Sequence, residues 1–377
     1  MIEIKEVRTK QDIKKFAKYP VELYKGCPYY VPSVRGDELN TFNPKKNASL
    51  SYQDAKGFLA YKDGELVGRI AGIINHKDNK NSCVNAIRFS RLECIDDIEV
   101  FKALLLAVEK MGKDSGMDVI HGPWGFNDTD REGMLTDGFD KRSTYATNYY
   151  YPYFAENLKK LGYETESKWI ERKFLLPEQP YERILKLADK IKARHHLVDI
   201  AETMSVKDII AKYGYKLFDA YNETYGHLDG FVKVEKNEID DILAQFATIV
   251  NGKYISILVN EEDNVVGFGI ALPSICDALI KSRGKLFPFG FIGVLKSILK
   301  PKELELALIG VSGKYKNSGI HAIIISRIMK NVYADGIKDV ETNPMLEHNL
   351  QIQHLWDQFD TEVVKKRQTF VKKIEVD

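Results

Sequence analysis

Cysteine is scarce: four residues in 377, at Cys27, Cys83, Cys94 and Cys276, with no C-x-x-C spacing. That excludes a zinc ribbon and a dense disulfide framework, so no metal is expected and a reducing compartment fits. Net charge is nearly absent too. The 55 basic and 54 acidic side chains leave +1, which gives no global field for nucleic acid, and no nucleic-acid partner is expected. No apolar run is long enough to span a bilayer. The opening Met1-Ile2-Glu3-Ile4-Lys5 lacks the apolar core of a signal peptide, so a cytoplasmic setting is expected. Two nucleotide signatures are also missing: no G-x-x-x-x-G-K-[ST] occurs, and no G-x-G-x-x-G follows a strand.

What remains is an ordinary globular composition, 44% hydrophobic and 29% charged, with 20 Tyr and 18 Phe for cores and apolar walls. The length is comfortable for two domains. Phe58 to Tyr61, Asp63-Gly64 and Leu66 to Asn75 read as a hairpin, because Asp-Gly between apolar runs is a strong turn signal. Ala86 to Glu93, the helical spacing of Asp97 to Gly112, and Val119 to His121 follow as strand, helix, strand. The second half repeats this order. Tyr254 to Val259 and Val265 to Ala271 form a second hairpin, and Glu362 to Ile374 reads as a closing strand. The chain reads as an internal duplication, with a boundary at the P-E-Q-P run of Pro177 to Pro180.

The stretch from Glu303 to Asp339 carries the chemistry. Glu303 to Val311 alternates and then turns continuously apolar, as a strand buried at one end does. Ile320, Ile323, Ile324, Ile328 and Val332 have helical spacing, and Gly336 stops that helix. The turn between them holds Gly313, Lys314, Lys316 and Gly319. Such a turn presents unpaired N–H groups at the positive end of a helix, where a phosphate or pyrophosphate fits. It equally suits an ordinary connection whose glycines only permit the bend.

The run Val311 to Ile320 resembles the acyl-CoA loop of the GNAT family of N-acyltransferases, with Lys316 at the basic position and Gly319 as the first glycine. His321 stands where the family has a second small residue. Downstream, Glu347-His348-Asn349 and Leu355-Trp356 are similar to the family's N-x-x-A-x-x-L-Y segment, with Trp356 in place of the usual Tyr acid. The resemblance implies an α/β (α+β) fold of two tandem GNAT-like domains, each a mixed, mostly antiparallel sheet flanked by helices. A degenerate domain 1–177 would precede an acyl-CoA-binding domain 178–377. It also implies acyl-CoA, acetyl or longer, as co-substrate and a small-molecule amine as acceptor. Two such domains together with the H-G-P-W-G-F run from His121 and the L-F-P-F-G run from Leu286 resemble the bacterial ceramide-synthase-like subgroup, which implies a lipid amine. Ile309, Gly310, Val311, Lys316, Asn317, Ser318, Gly319, Ile320 and Asn349 would hold the co-substrate, with Glu305 and Glu347 as candidate bases. The alternative is a binding or scaffold protein that has lost turnover.

In the first half, Asp96-Asp97 stands where the phosphate loop would be. Carboxylates there satisfy the helix start themselves and repel a pyrophosphate. Three further segments stand out. His121 to Met134 is dense in glycine, aromatics and acids; it reads as an Ω-loop whose acids serve its own backbone, or as a substrate-facing loop with His121 or Asp128 at the cleft. Leu286 to Leu295 is an apolar run framed by Lys281, Arg283, Lys285, Lys296 and Lys300, so it either contacts a membrane or acyl chain or covers the sheet. His195-His196 precedes an expected strand at Leu197 to Ile200, where adjacent histidines point to opposite faces and share no metal.

Overall fold

A computed structural model describes residues 1–127, 130–228, 231 and 233–375. The first half supplies strands β1 (Ile2–Glu6), β2 (Gln53–Lys62), β3 (Glu65–Asn75), β4 (Ala86–Cys94), β5 (Val119–Gly122), β6 (Met134–Asp137) and β7 (Glu164–Phe174). The second supplies β8 (Val198–Asp199), β9 (Ile255–Val259), β10 (Val265–Pro273), β11 (Glu303–Val311), β12 (Asp339–Thr342), β13 (Met345–Leu346) and β14 (Thr361–Lys373). They join in a single 14-stranded sheet ordered β1-β2-β3-β4-β5-β14-β7-β12-β11-β10-β9-β8, with β6 on β14 and β13 on β7. Among the described residues, β4–β5 and β11–β12 are the parallel pairs.

Among the described residues twelve helices flank it: α1 (Lys10–Leu23), α2 (Arg35–Asn40), α3 (His76–Ser82), α4 (Ile98–Asp114), α5 (Tyr153–Lys160) and α6 (Glu182–Arg194), then α7 (Val206–Tyr225), α8 (Lys236–Ile249), α9 (Cys276–Ser282), α10 (Gly290–Leu299), α11 (His321–Ala334) and α12 (Leu350–Trp356). Local chemistry explains many boundaries. Thr9 and Asp12 close a reciprocal cap at the start of α1. Asp63 and Gly64 both take positive φ, as a tight β2–β3 turn requires.

The mixed, mostly antiparallel character expected of each half is present, but the sheet is continuous across them. The last strand of each half crosses over: β14 lies between β5 and β7, and β7 lies between β14 and β12. Ions bind this seam. Arg367 Nε donates to Glu171 Oε1 at 2.5 Å, Lys365 Nζ lies 3.1 Å from Glu171 Oε2 and also pairs with Glu341, and Lys365, Arg367 and Glu171 are buried. Breaking such a set leaves an uncompensated buried charge, which costs about 3–5 kcal/mol.

Two readings shift. His195 and His196 follow the end of α6 rather than lying on a strand, and the second half's opening strand is only Val198–Asp199. The segment between them and β9 is largely helical, as α7 and α8. These two helices roof the second half through Ile209, Tyr213, Phe218, Tyr221, Ile239 and Leu243. α8 also ties the halves together, because Glu238 Oε1 accepts from Ser49 Oγ at 2.8 Å and Tyr52 Oη at 2.9 Å.

Candidate active site

β11 and β12 run together only from Glu303↔Asp339 to Leu306↔Thr342. Beyond that point β11 stays on β10 alone. Leu306 faces Ala271 and Leu308 faces Ile270, so Ala307 is an extra residue on β11. A bulge bends its strand and re-aims the next peptide groups. The two parallel strands therefore separate, and a cleft opens between them.

Alternation decides which peptides face that cleft. Ser312 N donates to Val266 O on the β10 side, so Gly310 shares that side while Ile309 and Val311 face the opening. Ile309 is already engaged: its N–H donates to Tyr225 Oη at 3.2 Å, and the same hydroxyl donates to Ile309 O at 3.0 Å. Tyr225, the last residue of α7, is stacked on Tyr221.

After β11 comes a 3₁₀ turn, Gly313–Tyr315, and then α11. Asn317 and Gly319 take φ of 65° and 82°, so the chain enters the helix through left-handed conformations. A Cβ on Gly319 would stand 2.9 Å from Ile191 Cδ1. Among the described residues the N–H groups of Asn317, Gly319, Ile320 and His321 take no hydrogen bond, whereas Ser318 N returns to Tyr315 O. No acidic residue lies in the first turn of α11. Free donors, a helix start and the exposed Lys316 together suit an anion, so the residues present fit a pyrophosphate. His321 opens the helix, and burial pushes its imidazole below the usual value, toward the neutral form.

The cleft belongs to a cavity of about 1180 Å³ reaching across both halves. Ile309, Gly310, Val311, Lys316 and Asn349 line it, as do Tyr225, His321 and Trp356. Asn317, Ser318 and Gly319 form the turn beside it, and Ile320 is packed beneath. Asn349 caps α12 through Ile352 N. Trp356 is buried, with Nε1 donating to Met345 Sδ at 3.0 Å; an indole donates but supplies no titratable proton.

Neither candidate glutamate lines the cavity. Glu305 is buried; its carboxylate accepts from Tyr145 N at 2.8 Å and meets Cys276 Sγ at 3.2 Å, and burial pushes its pKa up. It pins the Tyr145 loop and the start of α9 to β11. Glu347 is exposed, held through its backbone N–H to Lys168 O.

The first half has the same split with different contents. Trp124 N donates to Phe89 O, and Tyr153 Oη donates to Cys94 O at 2.7 Å. Tyr149, Tyr150 and Phe154 pack into this core beside Phe89 and Phe101. Asp97 caps α4 by accepting from Glu99 N and Val100 N, so two helix-start donors are already taken. In the 121–134 segment the acids serve the loop's own backbone, and other residues than the two expected reach the cavity. Asp130 accepts from Phe126 N and Glu132 from Gly125 N, while Trp124, Phe126, Asp130 and Arg131 line the large cavity. His121 bonds Glu166 at 2.8 Å and does not line the cavity; Asp128 lies outside the described residues.

Tyr225 and the α7–α8 roof are what sequence reasoning missed. A signal was present: Ser205 accepts from Asp208 N as a helix cap, and Ile209, Tyr213, Leu217 and Tyr221 follow at helical spacing.

No family model matches the chain. It is 26% identical to Protein YghO of Escherichia coli (strain K12), over 97% of this chain and 94% of that protein. It is 23% identical to the bacterial ceramide synthase of Caulobacter vibrioides, over 83% of this chain and 81% of that one. Among solved structures, a tandem GNAT protein from the clavulanic acid biosynthesis pathway superposes with a TM-score of 0.58 at 10% identity, covering 100% of both chains. The chain has the fold of a tandem GNAT protein.

Proposed function

We propose that this chain is an N-acyltransferase taking an acyl group from acyl-CoA, acetyl or longer, to an amine, with residues 178–377 holding the co-substrate and residues 1–177 walling the acceptor side. One observation carries this reading: the β11–β12 split, the free N–H groups before α11 and Lys316 meet at one cavity. The turn from Lys316 to His321 would hold the pyrophosphate, and the cleft-facing peptides of Ile309 and Val311 would align the arm that follows. When bound, acyl-CoA supplies an activated thioester carbonyl. The amine lone pair forms the new C–N bond, the C–S bond breaks with its electrons on sulfur, and the amine gives up one proton.

Tyr225 is the side chain best placed for that second half. Its hydroxyl sits on the first cleft-facing peptide beyond the bulge and can donate a proton to the departing sulfur, a role Trp356 lacks the chemistry for. Since Glu305 and Glu347 do not reach the cavity, the amine's proton leaves to another lining group or to water. The relative named bacterial ceramide synthase supports a lipid amine as acceptor, and the cavity's volume leaves room for a long chain.

The test is thiol release from acyl-CoA of increasing chain length with long-chain and short amines. Turnover by the wild type is expected, with kcat reduced about a hundredfold in Tyr225→Phe and KM little changed. Tight CoA binding without turnover on any amine would favour the second reading, a non-catalytic binding protein; Tyr225 seated on the Ile309 peptide and Trp356 at the acid position are what favour it.

A further inference from the structure

Between β10 and β11 the chain leaves the sheet to build α9, a turn, and α10. The turn and the outer face of α10 put large apolar side chains into solvent: Phe287 is 80% exposed, Phe289 75%, Ile292 54% and Leu299 66%. Hydrophobic residues scattered singly over a surface need no explanation, but these are neighbours, and the Phe287 and Phe291 rings lie 5.9 Å apart. Around them stand Lys281, Arg283, Lys285, Lys296, Lys300 and Lys302, all exposed, with no ion pair among the described residues. The acidic residue of α9, Asp277, is taken by Arg142, which also pairs with Glu303.

The other side of α10 borders the large cavity: Phe291, Val294, Leu295 and Ile298 line it, together with Leu286 at the turn, with Ile298 buried and Phe291 and Leu295 still exposed at its edge. At ten residues α10 is too short to cross a membrane, and no helix among the described residues is long and apolar enough to do so. It has the make-up of an element that lies in a surface, with aromatics below and lysines at the headgroup level.

We propose that the turn 285–289 and α10 dock this protein on an anionic lipid bilayer. The basic collar selects the occupant. An apolar protein face would match the phenylalanines but leave six cations opposite nothing, whereas an anionic bilayer satisfies both at once. Docking sets α10 between bilayer and cavity, because residues of the same helix line that cavity. This proposal stands apart from acyl transfer, because adsorption needs neither acyl-CoA nor turnover.

Vesicle flotation of the full chain tests it, using phosphatidylcholine alone and phosphatidylcholine mixed with phosphatidylglycerol. The wild type is expected to float with the mixed vesicles at low salt and to lose that binding as salt rises. Phe287→Ser with Phe289→Ser should weaken partitioning by about tenfold or more. Lys285→Glu with Lys296→Glu should weaken it similarly while leaving the apolar face intact. These side chains are exposed, so both variants should keep the wild-type melting temperature; the charge pair serves as the reading should the phenylalanine pair unfold. Failure of the wild type to float with mixed vesicles, equal binding to phosphatidylcholine alone, or unchanged binding in the folded variants would each overturn the proposal.

Discussion

Glu341 lies on β12, across from Lys173 and paired with Lys365 at the strand crossover. Burial pushes its carboxyl up to about 7 from an ordinary 4.5, with Lys365 opposing and Glu171 adding to the rise. Its neighbour Glu171 goes the other way: burial alone would raise it, but Arg367 and Lys365 outweigh that and hold it below the usual range. The signs therefore differ. For Glu341 the folded chain keeps a proton that the unfolded chain has released, so its stabilisation is full below about 4.5 and is lost as pH rises through about 7. Glu341→Gln should remove that loss. Urea unfolding at about pH 5 and about pH 7 should show the variant gaining on the wild type as pH rises, by about 2 kcal/mol. A difference that stays constant between the two pH values would show that this carboxyl is not raised.

The elements differ in how openly the chain declares them. β11 and α11 were legible, because Leu304 to Val311 and Ile320 to Val332 carry clean periods and Gly319 marks the turn. The hairpin at Asp63-Gly64 was equally plain. The crossing of β14 was not, since an alternating strand reads the same whichever neighbour receives it. Lys365 and Arg367 deepen that ambiguity: charged residues suggest an exposed face, yet both are buried against Glu171. Glu305 misleads in the same way, as a carboxylate on the key strand whose tertiary partners are Tyr145 and Cys276. Tyr225 could be placed only by the packing of α7 over β11. At the start of α4 the reading and the geometry agree, as Asp97 occupies the helix donors. Asp97→Ala should therefore cost about 1 kcal/mol in thermal or urea unfolding and leave CoA affinity unchanged; a gain of a second CoA site would contradict the idea that the first half is inert.

The whole molecule is held together by exchange. Each half lends its last strand to the other's side of the sheet, and α8 holds Ser49 and Tyr52 through Glu238. Fragments 1–177 and 178–377 made separately should each lack a cooperative melt, and co-expression should return them as one complex. Two fragments that melt cooperatively alone and do not associate would show that the crossing is dispensable. The sharpest test of the acyl-CoA assignment is a calorimetric titration of CoA into the wild type and into Lys316→Glu, with circular dichroism as the check on fold. One CoA per chain is expected, bound about tenfold or more weakly by the variant, because the substitution removes a cation and sets an anion beside the pyrophosphate. Two CoA molecules per chain, or an affinity that Lys316→Glu leaves unchanged in a folded protein, would contradict the placement of the site at the start of α11.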